Sequence, residues 1–171
     1  VEVAPSRAWH DTWHGLTPQM VRGYRRDVED AGLGVVGLHS LFYDHPELGL
    51  FGDAEMRARS LEFLVHLSAV CRDLGGRTLI WGGGRRRGDL PEATALIEAQ
   101  AFMADLCRRI EGHGTCFCFE PLGPGETDFI NSAFDALAIV ETVGHPGLRM
   151  QLDAKALVAN GEATNKPFAA A

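Results

Sequence analysis

Two hydrophobic rhythms alternate along the chain. Short apolar runs with a period of two are separated by longer stretches with apolar residues at helical spacing. Val1–Ala4 opens as a short strand. Thr17 then caps a helix with Pro18 at its first position; Met20, Val21, Tyr24, Val28 and Ala31 form its apolar stripe and Gly32 stops it. Val35–Leu41 is the next strand. Asp53 caps a helix running to about Leu74, with Leu61, Leu64, Leu67 and Cys71 on one face and Gly75-Gly76 at its end. Arg77–Trp81 is a strand leading into Gly82-Gly-Gly84. Pro91 opens a helix carrying Leu96, Ile97, Met103, Cys107 and Ile110, closed by Gly112. Thr115–Phe119 is a strand. Asn131 caps a helix with Phe134, Leu137 and Val140, ending near Gly144, and Leu148–Leu152 is the fifth strand.

Strict alternation of strands and helices predicts an α/β fold with a parallel sheet and right-handed crossovers. An open doubly wound sheet and part of a (β/α)₈ barrel both satisfy that order. The barrel fits better. No strand leads into a Gly-x-Gly-x-x-Gly phosphate loop, and polar residues recur at strand ends, at Glu2, His39, Glu120 and Asp153, as at a barrel mouth. Alternation within Thr115–Glu120 puts Phe117 and Phe119 toward helices and Cys116, Cys118 and Glu120 toward the barrel interior. In Leu148–Asp153 the same rule sends Leu148, Met150 and Leu152 outward and leaves Gln151 and Asp153 inside.

Glu120 and Asp153 therefore end two neighbouring strands, separated by about one strand-helix-strand unit. Carboxylates in that position hold a metal or transfer protons in barrel enzymes. A strand-end carboxylate that caps a helix or pairs with arginine is the plainer alternative for both.

Composition narrows the partners. A net charge of −7 over 171 residues argues against nucleic acid, which needs a basic face. No apolar run approaches the roughly 20 residues that span a bilayer, and no signal-peptide pattern is present, so a cytoplasmic protein without membrane partners is expected. Cys71, Cys107, Cys116 and Cys118 lack zinc-finger spacing and read as buried, reduced thiols. The chain starts at Val1 within a strand and ends without a closing element, so 1–171 reads as one partial domain cut at both ends. Open sheet edges on such a piece invite pairing with another chain, a homo-oligomer included.

Phe119-Glu-Pro-Leu-Gly-Pro-Gly-Glu-Thr-Asp-Phe-Ile-Asn131, followed by Gln151-Leu-Asp153, resembles the sugar isomerase/epimerase group with xylose-isomerase-like TIM barrels. Val1-Glu-Val-Ala-Pro and Gly34-Val-Val-Gly-Leu-His39 are similar to its second and third strands, so the chain would cover about strands 2 to 6. The resemblance implies a small carbohydrate substrate and a divalent metal bound by Glu, Asp, His and Glu from four strand ends. Glu120 matches the first ligand and Asp153 the second; the third and fourth would lie after residue 171. Carboxylate oxygens suit Mn²⁺ or Mg²⁺, and a His in the set admits Co²⁺ or Zn²⁺. The implied chemistry is proton transfer beside a carbonyl through an enediolate, with Glu120 as ligand and base, and Glu126 at the substrate's reacting end. A phosphodiesterase like endonuclease IV and a barrel piece without a competent site are the alternatives. The chain departs from the ketose 3-epimerases at Ala156, where a substrate-binding His is common.

Three further features have two readings each. His39 can reach a substrate or be a satisfied structural histidine. Trp9-His-Asp-Thr-Trp13 can wall a sugar site or simply pack. Gly82-Gly-Gly-Arg-Arg-Arg87 can cradle an anion or be a solvated basic loop.

Overall fold

The computed structural model describes residues 1–170. Five strands, β1 (Glu2–Val3), β2 (Gly37–Leu38), β3 (Thr78–Trp81), β4 (Cys116–Phe119) and β5 (Leu148–Met150), form one parallel sheet in chain order. Helices α1 (Pro5–Ala8) and α2 (Pro18–Asp30) connect β1 to β2. Helices α3 (Ala54–Asp73), α4 (Glu92–Arg109) and α5 (Ala133–Val143) make the next crossovers, and α6 (Ala154–Ala159) and α7 (Lys166–Ala170) follow β5. Neighbours in sequence are neighbours in the sheet, the order of a barrel wall and not of a doubly wound sheet, whose order reverses at a switch point.

The helix starts follow the local chemistry. The Thr17 hydroxyl accepts from Met20 N–H ahead of Pro18, and the Asp53 carboxylate accepts from Met56 N–H. Gly144 ends α5 in the left-handed conformation at φ 60°, where a side chain would be strained.

The core lies between sheet and helices. Val3, Leu38, Leu79, Trp81, Phe117, Phe119 and Leu148 point into it and meet Phe63, Leu64 and Leu67 of α3, Met103 and Leu106 of α4, and Ile139 of α5. Trp81 is 1 % exposed, with the rings of Phe42, Phe102, Phe117 and Phe119 around it. Each such buried ring contributes on the order of 2 kcal/mol by leaving water. The opposite face of the sheet carries Glu2, Ile80, Cys118 and Glu120, as the alternation requires.

Several boundaries differ from the expectations. β2 is far shorter than Val35–Leu41, because Ser40 takes φ 54° and turns the chain out of the strand. Ser132, not Asn131, caps α5: its hydroxyl accepts from Phe134 N–H, while the Asn131 amide donates to Leu122 and Thr127 carbonyls. On α5, Ala133, Ala136 and Ile139 are buried and Phe134 is exposed. Met20 on α2 and Ile97 on α4 also face outward; on α4 the smaller Ala95 and Ala99 take the buried positions. All four cysteines are free, and burial pushes the Cys71 thiol up to about 12 and the Cys107 thiol up to about 11. Among the described residues, no helix is long and apolar enough to cross a membrane.

Candidate active site at the strand ends

β4 and β5 continue their ladder for one step past the assigned strands. Glu120 N–H donates to the Trp81 carbonyl at 3.1 Å, and Gln151 N–H to the Phe119 carbonyl at 3.0 Å. This holds the Glu120 and Gln151 side chains in alternation on the face away from the helices. Glu2, His39, Ile80, Gly82, Glu120, Gln151 and Asp153 line one pocket of about 300 Å³. The strand tilt of a barrel explains how Glu2, low in the register of β1, shares that level with Glu120.

Glu120 is half-buried. Burial pushes its carboxyl above the ordinary range, and the neighbouring Asp153 charge adds to the effect; Arg85 opposes it, while Glu126 and Glu2 add to it weakly. Its Oε2 occupies the space that a side chain at residue 82 would take: a Cβ on Gly82 would stand 2.5 Å from it. Asp153 has two roles. One oxygen, Oδ1, accepts from Ala156 N–H at 2.8 Å and caps α6, which is the plainer role considered from sequence; its side chain also lines the pocket beside Glu120. Glu126 sits in a turn closed by its own N–H on the Gly123 carbonyl. It accepts from Lys155 Nζ at 2.7 Å, and that hydrogen bond holds its carboxyl below the usual range. Lys155 was not singled out in the sequence. Its place in the first turn after Asp153, beside the missing His position, was the available signal.

His39 lines the same pocket, with Nδ1 3.0 Å from the Ser40 hydroxyl. The Trp9–Trp13 loop packs instead of walling the pocket: Trp9 is buried against Tyr24, and Trp13 lies on His14 and Phe63. The arginine run is divided: Arg85 is buried, Arg87 is half-buried and Arg86 is exposed. Arg85 is 2 % exposed and donates to the carbonyls of Gly82, Glu120, Phe129 and Ile130; its guanidinium lies 4.8 Å over the Phe119 ring. Burial pulls the Arg85 pKa down to about 10, and the Glu120 charge opposes the fall. Arg86 donates to the Gly125 carbonyl, and Arg87 to those of Asp128 and Leu90. The larger groove on the outer surface, lined by Arg22, Arg25, Arg26 and Arg72 with Glu29 and Asp73, contains no strand-end residue.

Among the described residues, no group of three or more His, Cys, Asp or Glu side chains is placed to enclose a metal. The fit to a divalent cation is therefore that of a partial shell. Glu120 and Asp153 offer hard oxygens from adjacent strand ends, Gly82 leaves room at Glu120, and the Asp153 repulsion that adds to the effect of burial on Glu120 is what a cation relieves.

The Xylose isomerase-like TIM barrel family matches residues 1–170. An L-ribulose 3-epimerase of Mesorhizobium japonicum is 25 % identical over 143 residues, which are 78 % of this chain and 45 % of that protein. The structure is similar to D-psicose 3-epimerase from Clostridium cellulolyticum H10 (TM-score 0.81, 14 % identity, 99 % of this chain and 58 % of that one). It is also similar to 3-keto-D-glucoside 4-epimerase from E. coli (TM-score 0.74, 15 % identity, 89 % of this chain and 60 % of that one). The chain spans about half the length of the relatives it matches.

Proposed function

The chain belongs to the xylose isomerase-like TIM barrel family, and from that premise we propose that it forms part of a divalent-metal-dependent sugar isomerase or epimerase. The observation that carries the proposal is the convergence of Glu120 and Asp153 in one pocket with Glu2, His39 and Gln151. Glu120 and Asp153 would hold the metal, and their oxygens suit Mn²⁺ or Mg²⁺. When bound, the metal supplies Lewis-acid stabilisation of negative charge on adjacent substrate oxygens.

Glu120 removes the proton from the carbon beside the carbonyl, giving an enediolate. Glu120 is placed for that step by its position in the pocket beside Asp153, where a general base must stand within hydrogen-bond reach of the proton it takes. Glu126 and Lys155, joined as an ion pair outside the residues that line this pocket, would reach the hydroxyls of the reacting end, and His39 contacts the sugar from the end of β2. The substrate is an uncharged sugar or cyclitol. Three carboxylates line the pocket, and no arginine is among its lining residues; Arg85 and Arg87 are turned to backbone carbonyls. The net charge of −7 and the lack, among the described residues, of a His-containing cluster argue against a phosphodiesterase.

The test is metal-dependent exchange of label from the carbon next to the carbonyl of a neutral ketose, by the full-length protein. Exchange with Mn²⁺, lost in Glu120→Gln, is the expected result. Exchange in Glu120→Gln at the wild-type rate removes Glu120 as base. No exchange by the wild type on any neutral ketose, with cleavage of an abasic duplex instead, gives the site to the phosphodiesterase reading. Neither activity leaves a barrel piece without a competent site.

A further inference from the structure

One buried cation ties together three segments that meet at the pocket. Arg85 follows β3, yet its side chain is withdrawn from solvent almost completely. Nε donates to the Gly82 carbonyl at the end of β3, and Nη2 to the carbonyl of Glu120 itself. Nη1 donates to Phe129 at 2.9 Å and Ile130 at 3.1 Å, at the far end of the loop that carries Glu126. Ile130 has φ 57°, a left-handed conformation that strains a β-branched residue and persists only where the surroundings impose it. The two carbonyls held by Nη1 belong to Ile130 and the residue before it. The loop is fastened a second time where the Asp128 carboxylate accepts from the N–H groups of Arg87 and Gly88.

An arginine is suited to this task and a lysine is not. The planar guanidinium presents five donors in fixed directions, whereas an ammonium is a point with three. A buried guanidinium facing only carbonyls is costly unless its donors are satisfied, so the carbonyls and the cation hold each other in place.

We propose that Arg85 is the positioning residue of this site: it fixes the end of β4 to the Glu126 loop, so that Glu120 and Glu126 meet one substrate at a set separation. The proposal rests on the functional reading above only for its consequence in turnover. The clamp itself is a property of the fold. Arg85 touches neither substrate nor metal.

The experiment is Arg85→Lys in the full-length protein, read in two ways. Amide hydrogen exchange is expected to rise at least tenfold in residues 120–131, with α3 changed less than twofold. Turnover of the neutral ketose is expected to fall ten- to hundredfold with KM within threefold, and Arg85→Gln to fall further. Unchanged exchange in 120–131 overturns the proposal, as does a fall confined to KM. Should Arg85→Lys not fold, exchange in the wild type decides: protection shared by Gly82–Arg85 and Thr127–Asn131 as one opening unit supports the clamp, and independent opening overturns it. If the wild type turns over no ketose, the functional reading fails, while the exchange result still judges the clamp.

Discussion

Gly82→Ala separates the site from the fold with one methyl group. The added Cβ would stand 2.5 Å from Glu120 Oε2, with Leu122 Cδ2 next at 3.4 Å. Carbon and oxygen do not approach so closely, so the carboxylate must retreat by roughly 1 Å to regain van der Waals distance. Stability changes little, within about 1 kcal/mol, because the displaced atom is the far end of a flexible side chain and alanine restricts the unfolded chain. Function does not share that tolerance: a misplacement of about 1 Å in a reacting group lowers turnover by up to about a hundredfold. The assay is steady-state epimerisation and Mn²⁺ calorimetry on the full-length protein, with thermal unfolding in parallel. Gly37→Ala is the opposite control. Its Cβ would strike Thr78 Oγ1 and the Thr78 backbone carbonyl at the centre of the sheet, where nothing can give way. It costs about 1–3 kcal/mol as an overpacked site. Gly82→Ala with wild-type turnover and wild-type Mn²⁺ affinity would refute the assignment of Glu120 to the reacting position. Destabilisation of Gly82→Ala equal to that of Gly37→Ala would show that the Gly82 contact is ordinary packing.

Glu120→Gln raises the thermal midpoint at neutral pH. The folded state holds the Glu120 proton more tightly than the unfolded chain does, so the wild type is relatively more stable at low pH and loses that advantage as pH rises through the raised carboxyl range; the gap to Gln therefore closes on acidification, and a gap independent of pH refutes the account. Asp153→Asn keeps the cap on α6 and loses Mn²⁺ affinity, whereas Asp153→Ala loses about 1 kcal/mol as well; equal denaturation midpoints for the two variants would remove the capping role. His66 donates Nε2–H to the Thr12 carbonyl at 2.9 Å, and burial holds its pKa below 6.5. The unfolded chain therefore takes up a proton that the folded one refuses, and stability falls as pH drops through and below about 6.5. Urea unfolding at several pH values is expected to show a shallower acid slope in His66→Gln, and an unchanged slope contradicts it.

The parallel α/β order, the inward placement of Glu120, Gln151 and Asp153, and the caps at Thr17 and Asp53 were legible in the sequence, because period and cap chemistry are local. So was the family, through the segment 119–131 and the aspartate that follows it. The sequence did not reveal how far each helix is rotated. Ser132 and Asn131 are both good caps, and only the competing bonds of Asn131 to Leu122 and Thr127 decide between them; the buried α5 face runs through Ala133, not Phe134, because packing on the sheet selects the small residue. Nor did it reveal the use of the arginines. Arg85, Arg86 and Arg87 are identical as local chemistry, yet one is buried and donates to four carbonyls, one from nearby Gly82 and three from two distant segments. Local sequence determines what an element is and which face it offers. Which groups meet across 30 or 40 residues, such as Gly82 with Glu120, Lys155 with Glu126 and Arg85 with Ile130, depends on strand tilt and packing, and only the tertiary structure decides it.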